Sequence, residues 1–99
     1  MSNGENPKAR VYLKRELGSI PMDTLIWVEN RDALDGWELD VECFQGVKDH
    51  RYGAHGEYYT CVDYMRGYDE VADYGIEYRF WTDRPTQEQM EATLWADRP

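Results

Sequence analysis

Residues 37–44 read Trp37-Glu38-Leu39-Asp40-Val41-Glu42-Cys43-Phe44, an apolar residue at every odd position and an acid at 38, 40 and 42. A period of two is the signature of a strand with one buried and one wet face. Residues 57–66 (EYYTCVDYMR) are rich in β-branched and aromatic residues and read as a returning strand. Between them, 45–56 (QGVKDHRYGAHG) carries three glycines and little apolar character, the composition of a loop. The stretch 37–66 therefore predicts a hairpin with a long tip. Outward from it, 24–29 (TLIWVE) is the best central strand, 74–82 (YGIEYRFWT) predicts another, and 11–16 a short one. Breaks fall at 18–23, 30–36 and 67–73, each marked by Gly, Pro, Asn or Asp. At 85–95 a short helix is expected. Thr86 and Gln89 form a capping-box pair, and Met90, Thr93 and Leu94 share one side. The expected fold is α+β: a small, mainly antiparallel sheet of four to five strands with a short C-terminal helix.

Ninety-nine residues fit one domain, with 1–8 as a loose N-terminal tail. Fourteen per cent of the residues are aromatic, eight of them Tyr and four Trp, which is enough to build a core and rules against a disordered chain. The net charge is −9, unevenly spread. Lys8, Arg10, Lys14 and Arg15 face only Glu5 in the first fifteen positions, so the remainder is more acidic still. Such a body repels nucleic acid and is drawn to basic protein surfaces, although an acidic surface also serves plain solubility. No apolar run approaches the roughly twenty residues that span a membrane, and the polar start lacks a signal-peptide core, which places the chain in a reducing cytoplasm.

Both cysteines and both histidines lie within nineteen residues, as Cys43-x6-His50-x4-His55-x5-Cys61. Two thiolates and two imidazoles are a set that Zn²⁺ takes in a tetrahedral structural site. On the hairpin reading, a structural zinc would staple the loop at 45–56 to its strands. Two unliganded thiols or a disulfide are the alternatives, and Asp40, Asp49 and Asp63 are substitute oxygen ligands. Four protein ligands leave no open position for catalysis, and the sequence holds no HExxH, GxxxxGK[ST], GxGxxG or GxSxG. No catalytic residue is assigned, and the chain is not expected to be an enzyme.

From 57 to 78, six acids and six tyrosines alternate around a single base, Arg66. Carboxylates supply the charge that phosphates would, and tyrosines anchor protein interfaces. The expected partner-binding set is Asp63, Tyr68, Asp69, Glu70, Asp73, Tyr74 and Glu77; the alternative is a strand half of whose tyrosines are core and whose acids are its wet face.

The tail Arg79-Phe80-Trp81-Thr82-Asp83-Arg84-Pro85-Thr86-Gln87-Glu88-Gln89 resembles the tails of small accessory proteins of phages and prophages of Gram-positive bacteria. Size, acidity, aromatic content and the Cys/His cluster are together similar to a zinc-containing anti-CRISPR of the type II group. That resemblance implies a stoichiometric inhibitor working in the bacterial host cytoplasm; the sequence leaves its oligomeric state open, with a monomer favoured. It would bind a basic host protein, an RNA-guided Cas nuclease, and block target DNA loading or cleavage without touching nucleic acid or membrane itself. A phage adaptor in replication or virion assembly is the rival reading, and a small zinc enzyme or nucleotide-sequestering protein a third.

Overall fold

The computed structural model describes residues 8–33 and 36–96, side chains at 32–37 excepted. The expected tail at 1–8, Lys8 apart, and the centre of the expected turn at 30–36 lie outside the described residues. Five strands form one antiparallel sheet: β1 (Leu25–Ala33), β2 (Gly36–Tyr52), β3 (Glu57–Tyr64), β4 (Gly67–Glu70) and β5 (Tyr78–Trp81), in the order β4-β3-β2-β1-β5. Short helical segments complete it: 3-10 turns at Lys14–Ser19 and Val71–Asp73, and α1 at Gln87–Ala92. The architecture is mostly strand with short helices, in keeping with the expected α+β class.

The alternation at 38–44 is the organising feature, because β2 pairs with different partners along its length. Its first half pairs with β1 (Trp27↔Val41, Val28↔Asp40), and its second half pairs with β3 (Lys48↔Cys61, His50↔Tyr59). A bulge between Phe44 and Val47 separates the halves. Gly46 sits in that bulge at φ +99, a conformation side chains avoid, with the Met22 sulfur 3.1 Å from where a Cβ would lie.

Here the structure corrects the expected loop at 45–56. Backbone pairing carries β2 to Tyr52, and only 53–56 turn, with Gly53 and Gly56 at positive φ. Both faces of 47–52 are polar or half-polar, so no apolar alternation announces a strand there. The backbone hydrogen bonds of the β2–β3 ladder run through the segment. Similarly, 67–73, expected as a turn, is β4 followed by a 3-10 turn. The expected strand at 11–16 is one bridge, Val11↔Trp81, because the Glu16 carboxylate takes the Leu13 N–H at 2.7 Å and curls the chain into a 3-10 turn.

Sheet register defines two faces. On the core face Ile26, Phe44, Val62, Tyr78 and Phe80 are buried with Leu17 of the N-terminal 3-10 segment, Ile20 just after it, and Tyr74. On the opposite, outer face, β1 and β5 bring Glu29, Arg79 and Trp81 together under the C-terminal segment. The capping box of α1 forms as expected: Thr86 Oγ1 accepts from the Gln89 N–H at 3.1 Å, and Gln89 Oε1 accepts from the Thr86 N–H at 2.8 Å. Met90 is buried, but Leu94 is 90 % exposed, because the chain leaves helical geometry at Thr93 and turns Leu94 outward.

Candidate functional site

The four metal candidates are not brought together. Among the described residues no three His, Cys, Asp or Glu side chains are gathered as metal ligands. Both cysteines are free thiols, so the disulfide alternative falls. Cys43 lies before the bulge, with its sulfur 3.8 Å from Asp23 Oδ1 and 3.5 Å from Gln45 Nε2. His55 is exposed in the turn at the far end of the hairpin. His50 and Cys61 do share the outer face on neighbouring strands, but each is engaged otherwise. His50 Nε2 is 2.6 Å from Asp63 Oδ1, and its ring stacks on Tyr68 with centroids 4.0 Å apart. Cys61 is fully buried beside the Tyr52 hydroxyl, and burial pushes its thiol pKa up, the opposite of an activated thiolate. Of the substitute ligands, Asp49 accepts from Thr60 Oγ1 at 2.9 Å, while Asp40 lies on the core face, away from Cys43.

Around Cys61 the outer face of the hairpin carries a chain of rings: His50 on Tyr68, Tyr68 tilted against Tyr52 at 5.9 Å, and Tyr52 stacked on Tyr59 at 4.6 Å. These rings bridge β2, β3 and β4 beside the buried Cys61. Burial, then the neighbouring Glu70 carboxylate, raises the pKa of the Tyr52 phenol.

The expected partner-binding set is divided by the same alternation. Asp63, Tyr68 and Glu70 belong to the outer face; Asp63 is 3.8 Å from Lys48 Nζ and paired with His50, and Tyr68 remains 45 % exposed on its stack. Tyr74 is core: it is 4 % exposed, packs edge-on to Phe80 and Tyr78, and donates its hydroxyl to the Tyr12 carbonyl. That burial takes it out of any contact surface. Asp69, Asp73 and Glu77 turn toward the core side of the sheet, where Glu42 of β2 joins them.

That convergence leaves an electrostatic mark. Asp69 is held above the usual carboxylate pKa, first by burial and then by the charges of Asp73, Glu77 and Glu42, with the nearby Tyr64 hydroxyl partly offsetting them. Glu38, Asp40 and Glu42 alternate onto the same face of β2, opposite Asn30, Val28 and Ile26. Arg66 answers them in part, binding Glu42 Oε2 at 2.9 Å and the Val41 carbonyl at 3.1 Å. Carboxylates from β2, β4 and the segment after it thus rim the core face.

The raised pKa of Asp69 has a sign that can be tested. A carboxyl that binds its proton more tightly when folded loses stability as pH rises through its folded pKa, above the ordinary 3.8. Asp69→Asn is therefore expected to raise the urea midpoint at neutral pH, with the gain vanishing below the ordinary carboxylate range. A gain that persisted at low pH, or none at neutrality, would contradict this account.

A second constellation was not legible in the sequence. Glu29 (0 % exposed) and Arg79 (2 %) are a directly opposed pair on β1 and β5. Glu29 Oε1 accepts from Arg79 Nε at 2.6 Å and from Trp81 Nε1 at 2.8 Å. The other Arg79 nitrogens donate to the Met90 carbonyl at 2.8 Å and the Thr93 carbonyl at 2.7 Å, and the guanidinium lies 4.0 Å from the Trp95 ring centroid. Arg79 thus satisfies the open carbonyls at the C-terminal end of α1 and fastens the helix to the sheet. A charge inside the aromatic run Tyr78-Arg79-Phe80-Trp81 was the only signal available for it.

No protein-family model matches the chain, and neither a curated protein nor a solved structure matches it. Among the described residues no helix is long and apolar enough to cross a membrane.

Proposed function

We propose that this chain is a stoichiometric protein-binding inhibitor, without chemistry of its own, that sets its acidic core-side rim against a basic, nucleic-acid-handling surface. The target is a host defence nuclease of bacteria, an RNA-guided Cas nuclease of type II, met in the host cytoplasm; occupying that surface blocks DNA loading or cleavage. The supporting observation is the gathering of Glu38, Asp40, Glu42, Asp69, Asp73 and Glu77 from separate segments onto one side of the sheet, with Arg66 as the nearby base. Such a field speeds encounter with a basic surface and repels nucleic acid itself.

The test is binding to a guide-loaded type II Cas nuclease by surface plasmon resonance across a salt series. Affinity should fall as salt rises, since exposed charges are screened beyond roughly 8 Å at physiological ionic strength. The triple reversal Asp40→Lys, Asp73→Lys, Glu77→Lys should slow association by about tenfold or more. Binding that ignores both salt and the reversal, or no binding, removes this reading.

Zinc enters the proposal as a separate measurement. Holding it with Cys43, His50, His55 and Cys61 requires the hairpin to give up the Cys43 and His50 contacts described above. Zinc-free purified protein would keep the Cys43 and His50 contacts as described. Stoichiometric zinc, lost with Cys43→Ser and with His55→Ala, would instead establish a site formed by rearrangement of 43–61.

A further inference from the structure

Beyond its bulge, β2 leaves one edge open. The β1 ladder ends at Leu25↔Cys43, and among the described residues no strand lies on that side of 47–52. Val47, Lys48, Asp49 and Arg51 are exposed there. The ladder gives the direction of their backbone groups. Phe44 bonds on the β1 side, donating to the Thr24 carbonyl and accepting from the Asp23 N–H. Its pair with Tyr64 is therefore one that exchanges no bonds toward β3. Every second pair along β3 is of the same kind, namely Val47↔Val62, Asp49↔Thr60 and Arg51↔Tyr58. Val47, Asp49 and Arg51 thus aim their N–H and C=O groups outward, a row on which another strand can add. At the far end of the sheet the edge of β5 is covered: Tyr12 N–H donates to the Phe80 carbonyl, and Thr82 N–H to the Arg10 carbonyl.

Charge identifies the added strand. The row Val47-Lys48-Asp49-His50-Arg51-Tyr52 holds one more base than acid in a chain of net charge −9, so two copies approach here with less repulsion than elsewhere. Behind it, Asp63 is already engaged by Lys48 and His50. Opposed residues in an antiparallel pair both point toward the shared edge or both away, so a two-fold axis must fall on a residue. On Lys48, Asp49 or Arg51 it sets that charge against its own copy. On Val47 or Tyr52 it drives the second strand into the bulge or past the turn. On His50 it opposes Asp49 of each copy to Arg51 of the other, and Lys48 to Tyr52, along the whole edge between the bulge at Gly46 and the turn. Both charged side chains have capacity to spare. Asp49 Oδ1 accepts from Thr60 Oγ1 and Arg51 Nε donates to the Gly56 carbonyl, each at 2.9 Å, and among the described residues neither is in an ion pair.

We propose that two copies of the chain join edge to edge along β2, as an isologous dimer with its axis on His50 and reciprocal Asp49–Arg51 pairs. Each substitution then enters the contact twice. The axis stands perpendicular to the sheet, so the acidic rims of both copies face the same way and stay open. The proposal is therefore independent of the inhibitor reading.

Sedimentation equilibrium of the full chain tests it. The wild type should approach dimer mass at concentrations on the order of tens of micromolar, as suits a small interface. Asp49→Arg and Arg51→Asp each set two pairs of like charges across the axis, and each should weaken self-association by about tenfold or more. Mixed in equal amounts, the two variants should dimerise again, because every pair across the axis is then opposite in sign. Asp49→Asn keeps an acceptor for Thr60 and removes the charge alone; it should weaken association by about threefold. A wild type that stays monomeric at hundreds of micromolar overturns the proposal, as does dimerisation that all three substitutions leave unchanged. Reversals that keep the wild-type circular dichroism spectrum yet fail to pair when mixed overturn it too, since the contact then lies off this register. Should a reversal unfold the hairpin, Asp49→Asn decides: association as strong as that of the wild type rules the pairing out.

Discussion

Replacing Arg79 with methionine is expected to lower the unfolding free energy by about 3–5 kcal/mol, a large part of what a domain of this size possesses. The pair it breaks is fully enclosed, Arg79 at 2 % and Glu29 at 0 % side-chain exposure, so solvent does not screen the loss. Removing the guanidinium leaves a buried carboxylate that, among the described residues, retains the Trp81 indole as its one donor, with no hydrogen-bond partner at Oε2. It also uncouples the Met90 and Thr93 carbonyls, so α1 and the Trp95 segment lose their attachment to the sheet. The double variant Glu29→Gln, Arg79→Met should recover part of the loss, because the charge that becomes uncompensated is then absent. Urea unfolding of the single and double variants decides this. A single variant within about 1 kcal/mol of wild type would show that the pair contributes little beyond a well-packed apolar substitute.

How much of this was legible in the sequence depends on whether a feature is local. Alternation at 38–44, the apolar run at 24–29 and the Thr86/Gln89 pair each carry their structure within a few residues, and each appears as expected. The segment 45–56 misleads because its strand is polar on both faces: Lys48, His50 and Tyr52 line one and Val47, Asp49 and Arg51 the other. Its glycines mark a bulge at 46 and a tight turn at 53–56 instead of one long loop. Proximity in sequence also overstates the Cys/His cluster. A hairpin folds such residues near one another, but His55 rides in its turn and the bulge sets Cys43 apart from His50 and Cys61. The Glu29–Arg79 pair lies at the other extreme. Its partners are fifty residues apart, and only the placement of β5 beside β1 brings them together, which no local pattern encodes.

The second large effect expected is on Phe80, where truncation to alanine should cost about 3–5 kcal/mol. Phe80 is fully buried on β5 opposite Val28, and three tyrosines surround it: Tyr74 at 5.1 Å, Tyr78 at 5.5 Å and Tyr64 edge-on at 5.6 Å between ring centroids. Those rings come from three parts of the chain, so a cavity at Phe80 loosens β3, β5 and the segment before β5 at once. Collapse into the cavity is resisted by the phenol hydroxyls. Tyr74 donates to the Tyr12 carbonyl and Tyr78 to the Glu70 carbonyl at 2.7 Å, and moving either ring inward breaks its hydrogen bond. The cost should therefore lie toward the upper end for a phenylalanine of this size, with Phe80→Leu falling well below it. Tyr68→Ala provides the contrast: 45 % exposed, it should cost much less, chiefly through its stack on His50. Equal losses at Phe80 and Tyr68 in denaturant unfolding would mean that the ring chain on the outer face, and not the aromatic cluster beneath Leu17 and Ile20, holds the hairpin half of the sheet in place.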